Sequence, residues 1–422
     1  MASGSTNIPF IALRYRDFRL LWLGQLISQA GSAMQTLAIN WHISVLTNYN
    51  PLALGLVGLS RVIPIVFFSL IGGAMADARD RRKLMIVTQS AMAIFAAVLG
   101  LSTNAGLAGI GLIYVMNALA ASAWAFDNPA RQSMIPSLVP REHLTNAMSL
   151  NSIMFEIATI AGPMLAGLII GVHDIAIVYW INALSFLAVI GALLLMRPAP
   201  QEKRRKVDVG SVREGLKFVR GQPIIWSTML LDFFATFFSS ANQLLPIFAA
   251  QILNVGAIGL GILTAAPAIG SVLAGARMGF VSRVKKPGQI ILYSVAVYGL
   301  ATALFGISRN FVVSLLMLGL TGVSDTVSMI LRATIRQLVT PDHIRGRMTS
   351  INMIFFMGGP QLGELEAGVV AALIGAPLSV VTGGLGCLLA VAFVVWKVPM
   401  LRRFDEDDLR RAGEALAAAA GK

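Results

Sequence analysis

Cysteine is all but missing from this 422-residue chain, which carries only Cys387. One cysteine excludes an internal disulfide and a cysteine metal cluster. Histidine is almost as scarce, and His42, His143, His173 and His343 lack the spacing of metal ligands. The chain holds no glycine-rich Lys-Ser/Thr loop for a nucleotide, no Ser-His-Asp arrangement and no paired histidines. An enzyme, a cofactor and a metal centre are therefore not expected. Charge is sparse as well: 13% of residues are charged, 56% are hydrophobic, and the mean hydropathy is +0.75. A soluble protein of this length would need far more polar surface. The basic run Lys203-Arg204-Arg205-Lys206 reads as a loop held against anionic lipid, not as a nucleic-acid patch.

What the chain has instead is length without charge. Twelve apolar runs lie near 19–47, 52–76, 84–103, 106–130, 146–171, 174–196, 223–252, 255–281, 288–307, 311–337, 347–373 and 376–397. Each reaches the roughly 20 residues that one helical crossing of a bilayer requires. Nearly all of the 33 Lys and Arg fall in alternate gaps counted from the N-terminus or in the run ends that border them, while the other gaps hold only Arg309; Arg61 and Arg277 lie within runs. Cytoplasmic loops carry such an excess, so both termini are expected in the cytoplasm. The first run is too long for a signal-peptide core and no small-residue cleavage site follows it, so it reads as a retained anchor.

The longest charged gap contains Pro198 and Pro200 and ends at Pro223, dividing the runs six and six. A shift of 201 residues lays Arg131 on Arg332, Pro140 on Pro341, Asn151 on Asn352, Phe155 on Phe356, Gly162 on Gly363 and Ala166-Gly167 on Ala367-Gly368. Such self-similarity marks a duplication. Parallel repeats of six helices are one of the known membrane architectures. The expected organisation is an all-α polytopic membrane protein: a six-helix bundle over 1–198, a cytoplasmic linker over 199–222, a second bundle over 223–400 and a cytoplasmic tail over 401–422.

Between runs 2 and 3 stands Gly73-Ala-Met-Ala-Asp77-Ala-Arg79-Asp80-Arg81-Arg82-Lys83. A Gly, an Asp four residues later and a basic cluster at this place resemble the loop signature of the major facilitator superfamily. Gly162-Pro163-Met-Leu-Ala166-Gly167 in run 5 resembles the Gly-Pro motif of proton-coupled exporters in that superfamily. Arg16-Asp17-Phe18-Arg19, Asp127-Asn-Pro129-Ala-Arg131 and Arg345-Gly346-Arg347-Met348 are similar to a bacterial branch that includes enterobactin-type siderophore exporters and macrolide efflux pumps. The resemblance covers essentially residues 14–400. It departs from the family at Ala78, where a basic residue is usual, and at Ala118 to Ala123, where drug antiporters often carry an arginine. The family's proton-coupling arrangement therefore does not transfer residue by residue.

Alternating access requires a polar cavity, gates and a coupled charge. Run 1 spaces Gln25, Ser28, Gln29, Ser32, Gln35 and Thr36 by three and four, one stripe on a helix, and run 7 repeats the device with Asp232, Thr236, Ser239, Ser240 and Gln243. Both stripes read as cavity linings, with interhelical hydrogen bonding as the alternative. Five acids interrupt the runs: Asp232 first as a proton carrier, then Glu156 and Glu366, with Glu364 and Asp325 behind them. Each costs about 2.5–3.5 kcal/mol at mid-helix, so each calls for a reason. Arg61, deep in run 2, has three readings: snorkelling outward, pairing with an acid, or binding an anionic substrate. The cytoplasmic gate is assigned to Gly73, Asp77, Asp80, Arg81, Arg82, Asp127 and Arg131, with Arg81 paired to Asp127. Gly162, Pro163 and Gly167 are assigned to close helix approach. An apolar wall is expected from Trp41, Trp124, Phe233, Phe234, Phe237 and Phe238.

The resemblance implies a secondary active exporter of a medium-sized amphipathic molecule, siderophore or macrolide-like, driven by proton antiport in a bacterial inner membrane. A lysophospholipid flippase or nutrient importer of the same fold is the alternative within transport; a polytopic membrane enzyme is the alternative outside it. The expected partners are a small-molecule substrate, protons and membrane lipid, with no nucleic acid, and the chain is expected to be a monomer.

Overall fold

Helix follows apolar run almost residue for residue. A computed structural model describes residues 10–197, 216–239, 242–281, 284–405, 407–408 and 411. Within the second and eleventh long helices it leaves out the side chains of Leu70, Ala74, Ala76, Asp77, Asp342, His343, Arg345, Arg347, Thr349, Ser350, Met353, Ile354 and Met357. The Asp77 side chain, Ser240, Arg283, the basic run 203–206 and most of the expected linker and tail thus lie outside the described residues.

Among the described residues there are twelve long helices and no strand. They are α1 (Arg16–Leu46), α2 (Pro51–Ala78), α3 (Arg81–Asn104), α4 (Ile110–Met134), α5 (Leu144–Val172) and α6 (Ile175–Leu195). The second set is α7 (Pro223–Phe238), α8 (Gly256–Gly279), α9 (Pro287–Ile307), α10 (Phe311–Val339), α11 (Asp342–Ile374) and α12 (Ala376–Lys397). Among the described residues, ten segments are long and apolar enough to cross a membrane; α1 and α11, which carry Gln25, Gln29 and Gln35 and Gln361, Glu364 and Glu366, are not among them. Several helices begin on a side chain that accepts a backbone N–H: Asp80 from Lys83, Asp174 from Ala176, and Asn310 from Val312 and Val313. Run 7 does not fold as a single helix. It ends at Phe238, and short turns, one of π type, carry the chain from Asn242 to Ile252. Pro246 can donate no helical hydrogen bond, and Ser239 and Asn242 offer the backbone side-chain alternatives.

The chain divides into two compact units: 1–46 with 60–206, and 47–59 with 207–422. The start of α2 therefore clusters with the second unit, which the boundary at 198 did not anticipate. Inside each unit the same helix pairs meet. In unit 1, α1 packs on α5 and α6, and α3 on α4 and α6; in unit 2, α7 packs on α11 and α12, and α9 on α10 and α12. The 201-residue repeat is thus a repeat of packing. Its matched glycines show how. A Cβ on Gly162 would lie 2.6 Å from Ala33 Cβ and 2.8 Å from the Ala30 carbonyl of α1; a Cβ on Gly363 would strike the Phe237 carbonyl of α7. Only glycine lets these backbones approach so closely.

The expected linker is helical again over 216–221, where Val219 is buried against Ile225, Ile291 and Ile335. The start of the tail is also anchored: Leu401 and Phe404 are buried, and the Phe404 carbonyl accepts from the Gly288 N–H at 3.4 Å. Large apolar side chains such as Leu373 and Trp396 are mostly exposed, at 79% and 74%. A soluble surface rarely presents so much, whereas a lipid-facing one must.

Candidate functional site

Unit 1 holds a partly open cavity of about 200 Å³. From α1 it is lined by Ser28, Gln29, Ser32 and Thr36. The polar stripe of α1 therefore splits. Gln35 accepts from Asn182 of α6 at 2.7 Å and so joins two helices, whereas Gln25 is buried off the cavity wall and accepts from Gln29 of its own helix at 3.5 Å. The other walls come from Arg61 of α2, Gln89 of α3, Trp124 and Asp127 of α4, Phe155 and Thr159 of α5, and Phe186 of α6. Asn117 donates to Ser60 at 2.8 Å and fixes α4 against α2 next to Arg61. Pro163, inside α5, leaves the Thr159 carbonyl without its helical N–H, and Thr159 is a wall residue.

Asp127 has other partners than the gate assignment gave it. The run expected to end at 130 folds as α4 four residues further along, so Asp127 and Arg131 lie within a helix and are 2% and 3% exposed. Arg131 Nε stands 4.0 Å from Asp127 Oδ2, and Thr88 and Gln89 donate to Asp127 Oδ1 at 2.9 and 3.0 Å. The expected Arg81–Asp127 pair does not form; Arg81 donates to the Ser133 carbonyl at 3.1 Å. The reason is distance: Thr88 and Gln89, which hold the carboxylate, stand two turns further along α3 than Arg81, about 10 Å at 1.5 Å per residue. Arg131 also lies 4.8 Å over the Phe155 ring and donates to Asn128 at 2.9 Å. Arg82 donates to the Leu194 carbonyl at the end of α6, and Asp80 caps α3. Gly73 meets no atom within 4 Å where a Cβ would be; the glycine that touches α4 is Gly72, against the Ala125 carbonyl.

Unit 2 brings together two of the five acids. Asp232 of α7 holds Arg332 of α10 at 2.7 Å, and Asp325, two turns before Arg332, stands 3.7 Å from it. Arg332 is nearly sequestered, whereas the Asp325 side chain is 45% exposed. Arg336 follows one turn later, 9% exposed. Glu364 instead accepts from Gln243 at 3.0 Å. Glu156 and Glu366 are half-buried, with no hydrogen bond or ion pair among the described residues, and Glu156 does not line the cavity that Phe155 and Thr159 line. Thr236 bonds back to the Asp232 carbonyl at 2.8 Å and touches Gly359 of α11, and Ser239 is buried where α7 ends. Of the expected aromatic wall, Trp124 lines the cavity of unit 1; Phe233 and Phe237 stack on each other at 5.9 Å, and Phe238 lies against Gly383 and Gly386 of α12.

Sequence reasoning missed Thr88, Gln89 and Arg332 as partners of the buried acids. The repeat held the signal for the last of these, since it matches Arg332 to Arg131, and both are buried beside an aspartate.

The family model described as transmembrane secretion effector matches residues 7–418. The enterobactin exporter EntS of Shigella boydii serotype 4 (strain Sb227) is 26% identical over 92% of this chain and 93% of its own length; that of Escherichia coli O81 (strain ED1a) is 25% identical over the same shares. Among solved structures, a bacterial homologue of the human lysosomal transporter Spinster superimposes with a TM-score of 0.72 at 15% identity, over 93% of this chain and 98% of that one. An all-helical chain in two compact units, a cavity lined by polar side chains and a match across nearly the whole length lead to one conclusion: the chain belongs to the transmembrane secretion effector family of the major facilitator superfamily, and is a transporter rather than an enzyme.

Proposed function

We propose that this chain exports a siderophore-like amphipathic molecule from the bacterial cytoplasm across the inner membrane, by alternating access and in exchange for protons. The similarity to enterobactin exporters over 92% of the chain supports the cargo class; a macrolide-like cargo is the second choice. The chain acts as a monomer in contact with lipid, with both termini cytoplasmic. One observation carries the coupling: a single buried guanidinium is shared unequally by two carboxylates on different helices, Asp232 at 2.7 Å and Asp325 at 3.7 Å. A proton on Asp232 removes the charge that holds α10 to α7 and leaves Arg332 to Asp325 on its own helix. Arg336, one turn away, limits how far Arg332 shifts. Proton occupancy and the α7–α10 link are thereby tied together.

The experiment uses the reconstituted chain under an imposed pH gradient, with a panel of catecholate and hydroxamate siderophores and one macrolide. Gradient-driven transport of a siderophore in the export direction is expected. Asp232→Asn should lose gradient-driven transport at least tenfold while retaining exchange of labelled for unlabelled cargo. Unchanged gradient-driven export in that variant removes Asp232 from the coupling role. Transport in the opposite direction replaces the exporter with the importer of the same fold.

A further inference from the structure

We propose that the cavity of unit 1 is an anion subsite, in which Arg61 takes the acidic group of a single aromatic ring. A charge balance of the cavity leads there. Its two charged wall residues are Asp127 and Arg61. Asp127 is answered by Arg131 and by two hydrogen-bond donors. Arg61 makes no hydrogen bond or ion pair among the described residues. It stands about 15 Å along α2 from Pro51, counting 1.5 Å per residue. Its side chain is part-buried on the cavity wall, and among the described residues no acid pairs with it. Of the three readings open to this arginine, pairing with an acid is set aside, and its place on the cavity wall favours the anionic ligand over snorkelling. An unanswered cation within a membrane helix is costly, and a ligand anion offsets that cost.

The size of the cavity sets the rest of the chemistry. An apolar cavity of about 150 Å³ accepts benzene. About 200 Å³ therefore takes one substituted ring, not a whole siderophore-sized molecule. Trp124, Phe155 and Phe186 supply apolar wall for the ring, and Gln29 and Ser32 supply hydrogen bonds to further oxygens. The cargo would enter by one acidic aromatic arm, with the remainder outside unit 1. This meaning as cargo recognition rests on the transport reading above; the binding itself does not.

The test titrates the purified full-length chain with benzoate and with benzamide, its uncharged analogue, reading the thermal midpoint and tryptophan fluorescence. Benzoate should bind saturably and benzamide at least tenfold more weakly. Arg61→Gln should weaken benzoate by about 10- to 100-fold, the worth of a charge-assisted hydrogen bond, and leave benzamide unaffected. Arg61→Lys should fall between. Arg309→Gln, in an exposed loop, should change nothing. Trp124→Phe should diminish the fluorescence change, as expected of a tryptophan on the cavity wall. Equal binding of benzoate and benzamide, or undiminished benzoate binding by Arg61→Gln, overturns the subsite. If Arg61→Gln does not fold, the benzoate–benzamide contrast and Arg61→Lys decide. Arg61-dependent benzoate binding in a chain that exports nothing overturns the export reading and leaves the subsite standing. Proton-driven export with benzoate indifferent to Arg61 does the reverse.

Discussion

Arg332 shows how much one side chain can hold. It is buried, it bridges α7 and α10 through Asp232, and its Nε has no partner of its own. Removing one member of a buried ion pair leaves the other charge uncompensated and costs about 3–5 kcal/mol. Arg332→Ala should therefore destabilise the chain by about that amount, read from unfolding in detergent. The double variant Asp232→Asn, Arg332→Gln should recover part of the loss, because the buried Asp232 carboxylate is then no longer stranded. Additive losses would mean that the pair contributes nothing jointly. The sequence made Asp232 legible, since a carboxylate in an apolar run is conspicuous. Its partner was not, because Arg332 sits where a run meets a basic gap and reads equally well as a cytoplasmic residue. The same ambiguity hid Asp127 and Arg131: only the position of the end of α4 decides between a gate and a cavity wall, and boundaries are what periodicity fixes least well.

Helix α4 continues past Pro129, and the consequence falls on α2. Proline at 129 removes the N–H that would bond to the Ala125 carbonyl. That same carbonyl is the atom a Cβ on Gly72 would strike. Gly72 thus brings α2 up to a backbone oxygen that α4 itself does not use, where a Cα–H contact is the available compensation. Gly72→Ala should lower the unfolding free energy by about 1–3 kcal/mol through overpacking. Gly73→Ala, whose Cβ would meet nothing within 4 Å, should leave folding stability unchanged while testing whether the loop signature is needed for transport. Equal destabilisation by the two would contradict this packing. Spacing in the sequence identified the twelve helices, because apolar length leaves few alternatives. It singled out Gly73 for the loop signature and left the packing of Gly72 on α4 unseen, because a motif marks a neighbourhood and cannot say which of two adjacent glycines faces the next helix.

Duplication makes a demand on the whole chain that can be tested from outside it. If six helices were copied in parallel, matched loops must emerge on the same side of the membrane. The gap between α3 and α4 matches that between α9 and α10, and the gap between α2 and α3 matches that between α8 and α9. Almost no cysteine stands in the way: Cys387 is buried and its thiol lies 3.5 Å from the Val295 carbonyl of α9, so Cys387→Ala supplies a background with no thiol. Single cysteines then go into loops, with Leu107→Cys and Arg309→Cys in one matched pair and Asp80→Cys and Lys286→Cys in the other, all at exposed positions. The excess of Lys and Arg places the second pair inside. In spheroplasts, a membrane-impermeant thiol reagent should label positions 107 and 309 and reach 80 and 286 only after lysis. The reverse pattern would invert the orientation and keep the parallel repeat. Opposite labelling within a matched pair would be fatal to the repeat itself, since an odd number of crossings would then separate loops that the 201-residue shift makes equivalent.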